Sequence, residues 1–268
     1  MPELPEVETI RRELEPLVLG RTLGEAWAFP HTKFLPALDA VGGRVTVVGR
    51  RGKYLLLGLH DDRELVVHLG MTGSLSVRSV EVVGRAEDPH LRAWWEIGGD
   101  EALVFRDTRR FGRLAVALGG VYSGTLAVQG PDALDPTITA DDFWKALKSS
   151  RRAIKTQLLS QRPLAGVGNI YADEALWIAR IDPRARKVTR AQAVLLLDAL
   201  REVLTASVDN GGTTLRDYRT VAGESGRNQE RIACYGRYGE PCFRCATILR
   251  RVVLDGRTTT WCPTCQRR

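Results

Sequence analysis

The feature that most constrains the fold is a pair of CxxC motifs near the C-terminus. Cys242 and Cys245 form the first motif, Cys262 and Cys265 form the second, and sixteen residues separate them. Each motif turns tightly enough to direct two thiolates at one point, so two such knuckles predict a tetrahedral zinc site. Two disulfides are the alternative, which the lack of a recognisable signal peptide disfavours. We therefore expect one structural Zn²⁺ with no open coordination position. Cys234, outside the pattern, is expected to be a buried thiol, with exchange into the ligand set as the alternative.

Positive charge is concentrated in the same part of the chain. The whole sequence carries a formal net charge of +7. Residues 231–268 include eight arginines, no lysine and two acidic residues, so this segment alone carries +6. Guanidinium groups match phosphate geometry better than ammonium groups do, and a small basic module suits a nucleic-acid backbone. A solvated basic tail is the alternative, but zinc knuckles would impose order. The predicted partner is therefore nucleic acid.

The other end of the chain carries a candidate nucleophile. The sequence begins MPELPEVET, and we expect removal of Met1 to free the amine of Pro2. A terminal amine has a pKa of about 7.7–8.0, so part of it is unprotonated near neutrality and can attack a sugar carbon to form an iminium. The carboxylates of Glu3 and Glu6 lie within one turn of it. A capped helix start is an equally good interpretation, because Pro5 suits the first helical position and acids suit a helix N-terminus.

Three motifs in order resemble those of formamidopyrimidine-DNA glycosylases. They are PELPEVE at residues 2–8, AGVGNIYADE at residues 165–174 and the zinc knuckles, so the resemblance extends from residue 2 to about residue 266. Related endonuclease VIII enzymes typically begin PEGPE, and Leu4 favours the formamidopyrimidine branch. The resemblance implies a bifunctional DNA glycosylase and abasic-site lyase of base excision repair. Such an enzyme removes oxidised purines (8-oxoguanine and formamidopyrimidines) and cleaves the strand by β,δ-elimination.

Two other functions remain open. One is an endonuclease VIII-like glycosylase for oxidised pyrimidines, and the other is a non-catalytic zinc protein that binds DNA. The combination of Pro2, Glu3, Lys53 and Arg257 argues against the non-catalytic alternative.

The resemblance implies a catalytic role for four residues. Pro2 is the nucleophile and Glu3 the general acid and base, Lys53 contacts the lesion nucleotide and assists elimination, and Arg257 acts in the second elimination. DNA contacts are predicted for a further set: Glu6, Met71, His90, Arg109, Arg110, Phe111, Arg151, Lys155 and Asn169. Met71, Arg109 and Phe111 would fill the gap left by an extruded base.

Composition alone favours plainer interpretations of these segments. Residues 50–53 read as a solvated edge strand, and residues 70–73 and 107–112 read as strand connections. Asn169 reads as a helix cap.

The periodicity predicts an α+β fold in four parts. Residues 1–118 form an N-terminal catalytic β-sandwich with a helix from Pro5 to Leu17, and residues 119–136 form a linker. Residues 137–230 form a helical domain, which the resemblance identifies as the helix-two-turn-helix DNA-binding domain, and residues 231–268 form a four-cysteine zinc-finger β-hairpin. Capping boxes are predicted at Thr139 and Thr189, and residues 197–208 carry an apolar helix face.

Location and partners follow from the same sequence. No apolar run is long enough to cross a bilayer, and no internal repeat is present. We expect a cytoplasmic, nucleoid-associated monomer that binds damaged double-stranded DNA and needs no organic cofactor and no membrane.

One segment departs from the family pattern. Family members commonly carry a glycine-bearing loop here that ends in glycine and two aromatic residues, whereas this chain reads GESGRNQ at residues 223–229. A solvated loop is the plainer interpretation. We predict instead that the loop still closes over the flipped base and reads it through main-chain amides. With Arg227 and Asn228 in place of the aromatic residues, excision of 8-oxoguanine should be weaker relative to that of formamidopyrimidine.

Overall fold

The structure is a computed structural model, and it describes residues 1–85 and 88–267. The chain divides into two compact units. The first unit comprises Met1–Ala127 and Asn210–Arg227, and the second comprises Val128–Asp209 and Asn228–Arg268. The first is rich in strands and the second in helices, which confirms the predicted α+β class.

A helix and a set of strands come first, and most of the helices follow, as the sequence pattern predicts. The helices are α1 (Leu4–Val18), α2 (Val80–Arg85), α3 (Gly124–Val128), α4 (Ala140–Lys148), α5 (Ile154–Leu159), α6 (Asn169–Ile178) and α7 (Arg190–Asp209), with 3₁₀ turns at Leu35–Ala40 and Asn228–Arg231. The strands are β1 (Ala26–Ala28), β2 (Val45–Arg51), β3 (Tyr54–Leu59), β4 (Arg63–His68), β5 (Gly73–Ser79), β6 (Leu91–Gly98), β7 (Glu101–Asp107), β8 (Arg113–Leu118), β9 (Arg250–Leu254) and β10 (Arg257–Trp261).

Two antiparallel sheets form the body of the first unit. Their strand orders are β1-β6-β7-β5 and β2-β3-β4-β8. Alternate side chains of β3 face opposite sides, as the period of a strand requires. Leu55 and Leu57 enter a core that also holds Trp95 and Phe105, whereas Leu56 belongs to a cluster on the other face. The predicted β-sandwich is thus confirmed.

Strands β5 and β6 were not predicted from the sequence, because their polar residues alternate with buried ones and interrupt the apolar runs by which strands were identified. In β5 the buried Leu75 lies between Ser74 and Ser76. In β6 the half-buried Glu96 lies between two buried apolar residues.

Helix α1 packs one apolar stripe on this core. Val7, Ile10, Leu14 and Val18 are all buried, at steps of three and four residues that follow the helical period. Leu17, which the sequence pattern places on this face, is 40% exposed. Val18 takes its place because a step of four from Leu14 keeps the stripe on the same side.

Residues 210–227 belong to the first unit, although the sequence pattern assigns them to a helical domain of residues 137–230. Tyr218 and Val221 join the core of the sandwich. The carboxylate of Glu13 in α1 also accepts hydrogen bonds from the amides of Val221 (2.8 Å) and Ala222 (3.3 Å). The predicted domain boundary at residue 230 is corrected accordingly. The boundary between Ala127 and Val128 falls inside the predicted linker.

The second unit contains α4 to α7 and the hairpin of β9 and β10. The predicted capping box at Thr189 is present, whereas Thr139 makes the N-cap bond without the reciprocal bond to its backbone N–H, because Asp142 bonds to the Thr139 hydroxyl instead. The hydroxyl of Thr139 accepts from the amide of Asp142 (3.1 Å), and Thr189 and Gln192 exchange two bonds (2.8 and 3.1 Å). Two turns over residues 160–168 connect α5 to α6. This helix–turns–helix arrangement matches the prediction.

Within residues 1–85 and 88–267, every helix is too short or too polar to cross a lipid bilayer.

Candidate functional site

The N-terminal segment leads directly into α1, with Glu3 at the N-cap position. Pro2 and Glu3 are buried, and Met1 is 47% exposed. The two interpretations of this segment are compatible. A Pro2 nitrogen beside the helix N-terminus lies at the positive end of the helix dipole, which disfavours the protonated amine and so favours a nucleophilic one.

Glu6 holds this segment in place. Its side chain is 1% exposed. One carboxylate oxygen accepts from the amide of Glu3 at 2.7 Å, and the other accepts from the amide of Thr213 at 2.7 Å. The prediction that Glu6 contacts DNA is wrong for this structure, because both of its oxygens are bonded inside the first unit.

Lys53 lies in the tight turn between β2 and β3, where Gly52 has a φ of 59°. The lysine is 7% exposed, so the solvated-edge interpretation does not describe it. Beside it, Arg50 donates to the carboxylate of Glu8 in α1 (3.0 Å) and to the carbonyl of Gly52 (3.0 Å). The turn that presents Lys53 is therefore fastened to the helix that follows Pro2.

A half-buried histidine, His68, lies close to this lysine. Burial, together with the positive charges of Lys53 and Arg113, lowers the pKa of His68 to about 4. The imidazole is neutral at physiological pH, and its Nδ1 accepts from the amide of Gly70 (3.3 Å).

Asp107 joins the two turns that carry Met71, Arg109 and Phe111. These three are the wedge residues, predicted to fill the gap that an extruded base leaves. Asp107 is fully buried, and its carboxylate accepts from the hydroxyl of Thr72 (2.5 Å) and from the amides of Arg109 (3.2 Å) and Gly112 (2.6 Å). Gly70 approaches so closely that an added Cβ would lie 2.4 Å from the carbonyl carbon of Phe111. Residues 70–73 and 107–112 thus lie side by side.

The side chains on these turns differ in exposure. Met71 is half-buried, whereas Arg109 and Phe111 are exposed, with the guanidinium carbon of Arg109 4.8 Å from the ring centroid of Phe111. Arg110 is exposed and has a φ of 56°. His90 is half-buried, and its carbonyl accepts from the amide of Asp107 (2.9 Å). The three predicted wedge residues therefore lie on adjacent turns, with Arg110 and His90 beside them.

Asn169 is the first residue of α6, and Gly168 is the N-cap. The cap interpretation of Asn169 is therefore wrong. Its side-chain oxygen is buried and has no hydrogen-bond partner among the residues that the structure describes. Gln161 organises the preceding turns, since its amide accepts from the N–H of Gly166 (2.8 Å) and donates to the carbonyl of Val167 (2.7 Å). The Asn169 oxygen is an acceptor and cannot bond to a phosphate, so the donors available here are the side-chain N–H of Asn169 and the first backbone N–H groups of α6, which suit an anion.

Lys155 lies in the interior of the second unit. It is fully buried, and its Nζ lies 2.6 Å from the carboxylate of Asp173, which is 1% exposed. Nζ also donates to the hydroxyl of Thr259 (2.9 Å) and the carbonyl of Thr258 (3.2 Å) in β10. The prediction that Lys155 contacts a DNA phosphate is wrong for this structure, because no part of the side chain reaches solvent.

Two acidic residues of α6 hold the segment that leads into the zinc hairpin. Asp173 accepts from the amide of Thr260 (2.9 Å), and burial raises the pKa of Asp173 to about 7. Glu174 accepts from three successive amides, those of residues 233, 234 and 235, at 2.7–2.9 Å. Burial raises the pKa of Glu174 as well. The helix that begins at Asn169 therefore anchors the hairpin that carries Arg257.

The four paired cysteines converge as predicted. The sulfur atoms of Cys242, Cys245, Cys262 and Cys265 all lie within 4.8 Å of one another. Four thiolates around Zn²⁺ at about 2.3 Å would lie about 3.8 Å apart, so the cluster fits one tetrahedral ion. Cys234 lies outside it, and its thiol donates to the carbonyl of Thr260 (3.1 Å). The chain thus has one structural zinc site, and Cys234 is the expected buried thiol.

Arg257 is the first residue of β10, directly after the hairpin turn at Asp255 and Gly256, and its side chain is exposed. Arg151 precedes α5 and is also exposed. Both side chains are thus accessible to a phosphate.

The segment predicted to read the lesion is bonded to its own unit. The amides of residues 221 and 222 donate to Glu13, as described above. Those of residues 223, 224, 226 and 227 donate to Thr220, Thr214 and Asn210 at 2.9–3.3 Å. An added Cβ at Gly226 would lie 2.1 Å from the carbonyl oxygen of Gly212. The prediction that these main-chain amides read a base is therefore not supported by this structure.

Four residues that shape the site were not predicted from the sequence: Asp107, Gln161, Asp173 and Glu174. All four are buried polar residues, and three of them bond to segments more than 30 positions away, whereas Gln161 bonds to the turns beside it. Their only signal is position, since each lies inside or beside a motif already singled out for other residues.

Comparison with known proteins gives the same assignment along the whole chain. The family model of the formamidopyrimidine-DNA glycosylase N-terminal domain matches residues 1–114, and that of the formamidopyrimidine-DNA glycosylase H2TH domain matches residues 129–219. A model described as the zinc finger found in FPG and IleRS matches residues 239–268.

Curated relatives and solved structures agree with these models. Formamidopyrimidine-DNA glycosylase of Thermus thermophilus is 46% identical over 99% of this chain and 98% of its own length. The Deinococcus radiodurans protein of the same name is 42% identical over 99% of this chain and 97% of its own length. The crystal structure of the MutM (Fpg) protein from Thermus thermophilus superposes with a TM-score of 0.89 at 46% identity, covering 99% of this chain and 98% of that one. A Lactococcus lactis FPG variant in complex with DNA containing Fapy-dG gives 0.88 at 31% identity over the full length of both chains. The chain belongs to the formamidopyrimidine-DNA glycosylase family.

Proposed function

We propose that the protein is a bifunctional DNA glycosylase and abasic-site lyase that removes oxidised purines from DNA in base excision repair. The main support for this proposal is the structure of the N-terminal segment. Pro2 and Glu3 are buried at the start of α1, and Glu6 fixes the backbone between them and the helix. Membership of the family and the Fapy-dG-containing DNA in a related structure support the same substrate class.

Pro2 is the nucleophile of the proposed reaction. With Met1 removed, its secondary amine attacks the anomeric carbon, the bond from that carbon to the base breaks, and the base leaves with a proton. The nitrogen lone pair then expels the ring oxygen, which takes a proton from the Glu3 carboxyl as its bond to the anomeric carbon breaks, and the result is an iminium that joins Pro2 to the opened sugar. The positive end of the α1 dipole favours the unprotonated amine before attack.

Glu3 moves the protons. It follows Pro2 in the chain and is buried with it at the N-cap position of α1, and we assign it the role of general acid and base. The iminium makes the next proton on the sugar acidic, and loss of that proton eliminates the 3′-phosphate. A second elimination releases the 5′-phosphate, with Lys53 and Arg257 as the cations for the departing phosphates.

The remaining site residues hold the DNA in a reactive conformation. A purine stacked in a duplex is out of reach, and extruding it costs a few kcal/mol. Met71, Arg109 and Phe111 fill the gap left in the stack, which offsets part of this cost. Arg110, His90, Arg151 and Asn169 are proposed contacts to the flanking backbone, with Asn169 donating from its side-chain N–H at the N-terminus of α6.

Zinc has a structural role in this scheme. Its ligand set is four thiolates, so the bound ion has no position for substrate. It holds the hairpin from which Arg257 projects. Because the substrate is chromosomal, we place the enzyme in the cytoplasm, at the nucleoid.

Excision from lesion-bearing duplexes tests the proposal. The enzyme should release 8-oxoguanine and formamidopyrimidine faster than an oxidised pyrimidine, and Glu3→Gln should abolish release while DNA binding persists. Glu15→Gln, on the same helix but with a side chain 40% exposed, is the matched control and should remain active. Faster release of the pyrimidine would favour the endonuclease VIII-like alternative, and no release of either would favour a non-catalytic protein.

A further inference from the structure

A basic cavity in the second unit is lined by several cations that have no role in the proposed mechanism, and by Arg151, which has one. Its volume is about 910 Å³. Five cationic side chains and one carboxylate are prominent in its lining: Arg151, Arg152, Arg184, Arg186, Lys187 and Asp255. These residues come from the segment before α5, the segment after α6 and the tip of the zinc hairpin.

Most of this positive charge is uncompensated. Arg151, Arg186 and Lys187 are exposed, and in the described part of the chain no carboxylate pairs with them. Arg152 pairs with Asp255 at 3.1 Å, but both side chains are more than half exposed, so the pair is weak and easily exchanged for another anion.

Arg184 gives the cavity a rigid wall. Its guanidinium is bound to the carboxylate of Asp182 at 2.6 Å and lies 4.0 Å from the ring centroid of Trp261. Trp261 ends β10 and is buried. Arg184 is therefore held in a fixed position, whereas the other four cations of the lining are exposed.

The shape of the cavity favours a polymer over a small anion. An enclosed site for a nucleotide would bury several polar groups around its ligand, whereas here four of the five cations are exposed. Lone cations arranged on an open concave surface match the spaced phosphates of a nucleic-acid backbone. Asp255 is also two residues from Arg257, the proposed phosphate contact at the hairpin tip.

We propose that this cavity is a second DNA-backbone site, in which Arg186 and Lys187 bind phosphates of the duplex outside the lesion site. The proposal rests on the proposed function in taking DNA as the partner. It assigns a binding role to the segment between α6 and α7, which the catalytic scheme leaves unused.

The salt dependence of binding to undamaged duplex DNA tests the assignment. Each phosphate neutralised by a cation contributes about 0.9 to the slope of log K against log salt. Arg186→Glu with Lys187→Glu should therefore lower the slope by about 1.8 and weaken binding at 0.1 M salt by roughly 60-fold. Zinc content and circular dichroism confirm that the variant is folded.

A charge-matched control separates a local contact from net charge. Arg44→Glu with Arg78→Glu makes the same change in net charge at two exposed positions of the first unit. Its slope should stay within half a unit of that of the parent protein. Equal slopes for the two double variants would overturn the proposal.

A second measurement locates the phosphates. A single neutral methylphosphonate is moved along a duplex that holds a non-cleavable abasic analogue. One or two positions should weaken binding of the parent protein about eightfold and have no effect on the cavity variant. Identical methylphosphonate profiles for the parent protein and the cavity variant would contradict the assignment. So would a cavity that binds pyrophosphate in the parent but not in the variant, while the salt slope of DNA binding is the same for both. Both outcomes are read from binding alone, so they are distinguishable from a failure of excision, which concerns the proposed function.

Discussion

Replacing Lys155 by methionine should destabilise the zinc hairpin without removing a DNA contact. The lysine is fully buried, 2.6 Å from Asp173, and bonded to two groups of β10. Breaking a buried ion pair by removing one partner typically costs about 3–5 kcal/mol, because the other charge is left unpaired. Asp173 would then be an isolated carboxylate in a site where burial already raises its pKa.

Amide exchange in β10 gives the most local measurement of this cost. The amide of Thr260 donates to Asp173, so its protection depends directly on the pair. A loss of about 3–5 kcal/mol corresponds to exchange that is faster by roughly 100-fold to several thousand-fold in the zinc-loaded protein. Adding Asp173→Asn to Lys155→Met removes the unpaired charge and should recover all but about 1–2 kcal/mol, the part due to lost hydrogen bonds.

Two results would refute this reasoning. Exchange at Thr260 that changes by less than about fivefold in Lys155→Met would mean that the pair is not buried and coupled as described. A direct phosphate contact would instead lower the salt slope of DNA binding by about 0.9, whereas we expect no change in slope.

Three further perturbations test other parts of the account. Glu6→Gln replaces one of two acceptor oxygens with a donor, so it should lower the free energy of unfolding, measured by heating, by about 1–3 kcal/mol. It should also reduce the excision rate while the Kd for DNA stays unchanged. An unchanged excision rate with weaker DNA binding would restore a DNA-contact role for Glu6. Cys262→Ser should lose zinc and DNA affinity while the sandwich stays folded, as measured by metal content and circular dichroism, and normal cleavage by zinc-free protein would contradict it. His68 has a pKa of about 4 in the folded protein, below its ordinary 6.5, so its contribution to stability is complete above pH 6.5 and is lost as pH falls towards 4. His68→Gln should therefore remove roughly 3 kcal/mol of the pH dependence of the unfolding free energy, measured in urea. An unchanged pH profile would exclude His68 as the source of that dependence.

Local patterns were sufficient for the parts of the fold in which neighbours in sequence determine the structure. The stripe from Val7 to Leu14, the N-cap at Thr139 and the two CxxC knuckles each depend on residues a few positions apart. The predictions for α1, α4 and the zinc site were therefore confirmed. Strands with alternating polar residues gave a weaker signal, because one solvated face dilutes the apolar pattern.

Contacts between distant segments account for what the sequence did not reveal. Residues 210–227 fold with the first unit and not with the helical domain, because their amides donate to the carboxylates of Glu6 and Glu13, more than 200 positions away. In the sequence, Lys155 cannot be distinguished from a solvent-exposed lysine, because its burial depends on contacts with Asp173 and β10 in the folded structure. The catalytic assignments of Pro2 and Glu3 came from the family resemblance, since their composition alone fits a helix cap equally well.

The central claim is that Pro2 forms the covalent intermediate, and borohydride trapping measures this directly. Incubation with abasic DNA and borohydride should give a covalent complex whose peptide map places the adduct on residue 2, in protein whose intact mass shows the loss of Met1. A variant that retains Met1 should give no complex, because its Pro2 nitrogen is an amide and cannot attack. A complex mapped to a lysine, or full trapping with Met1 still attached, would contradict the account.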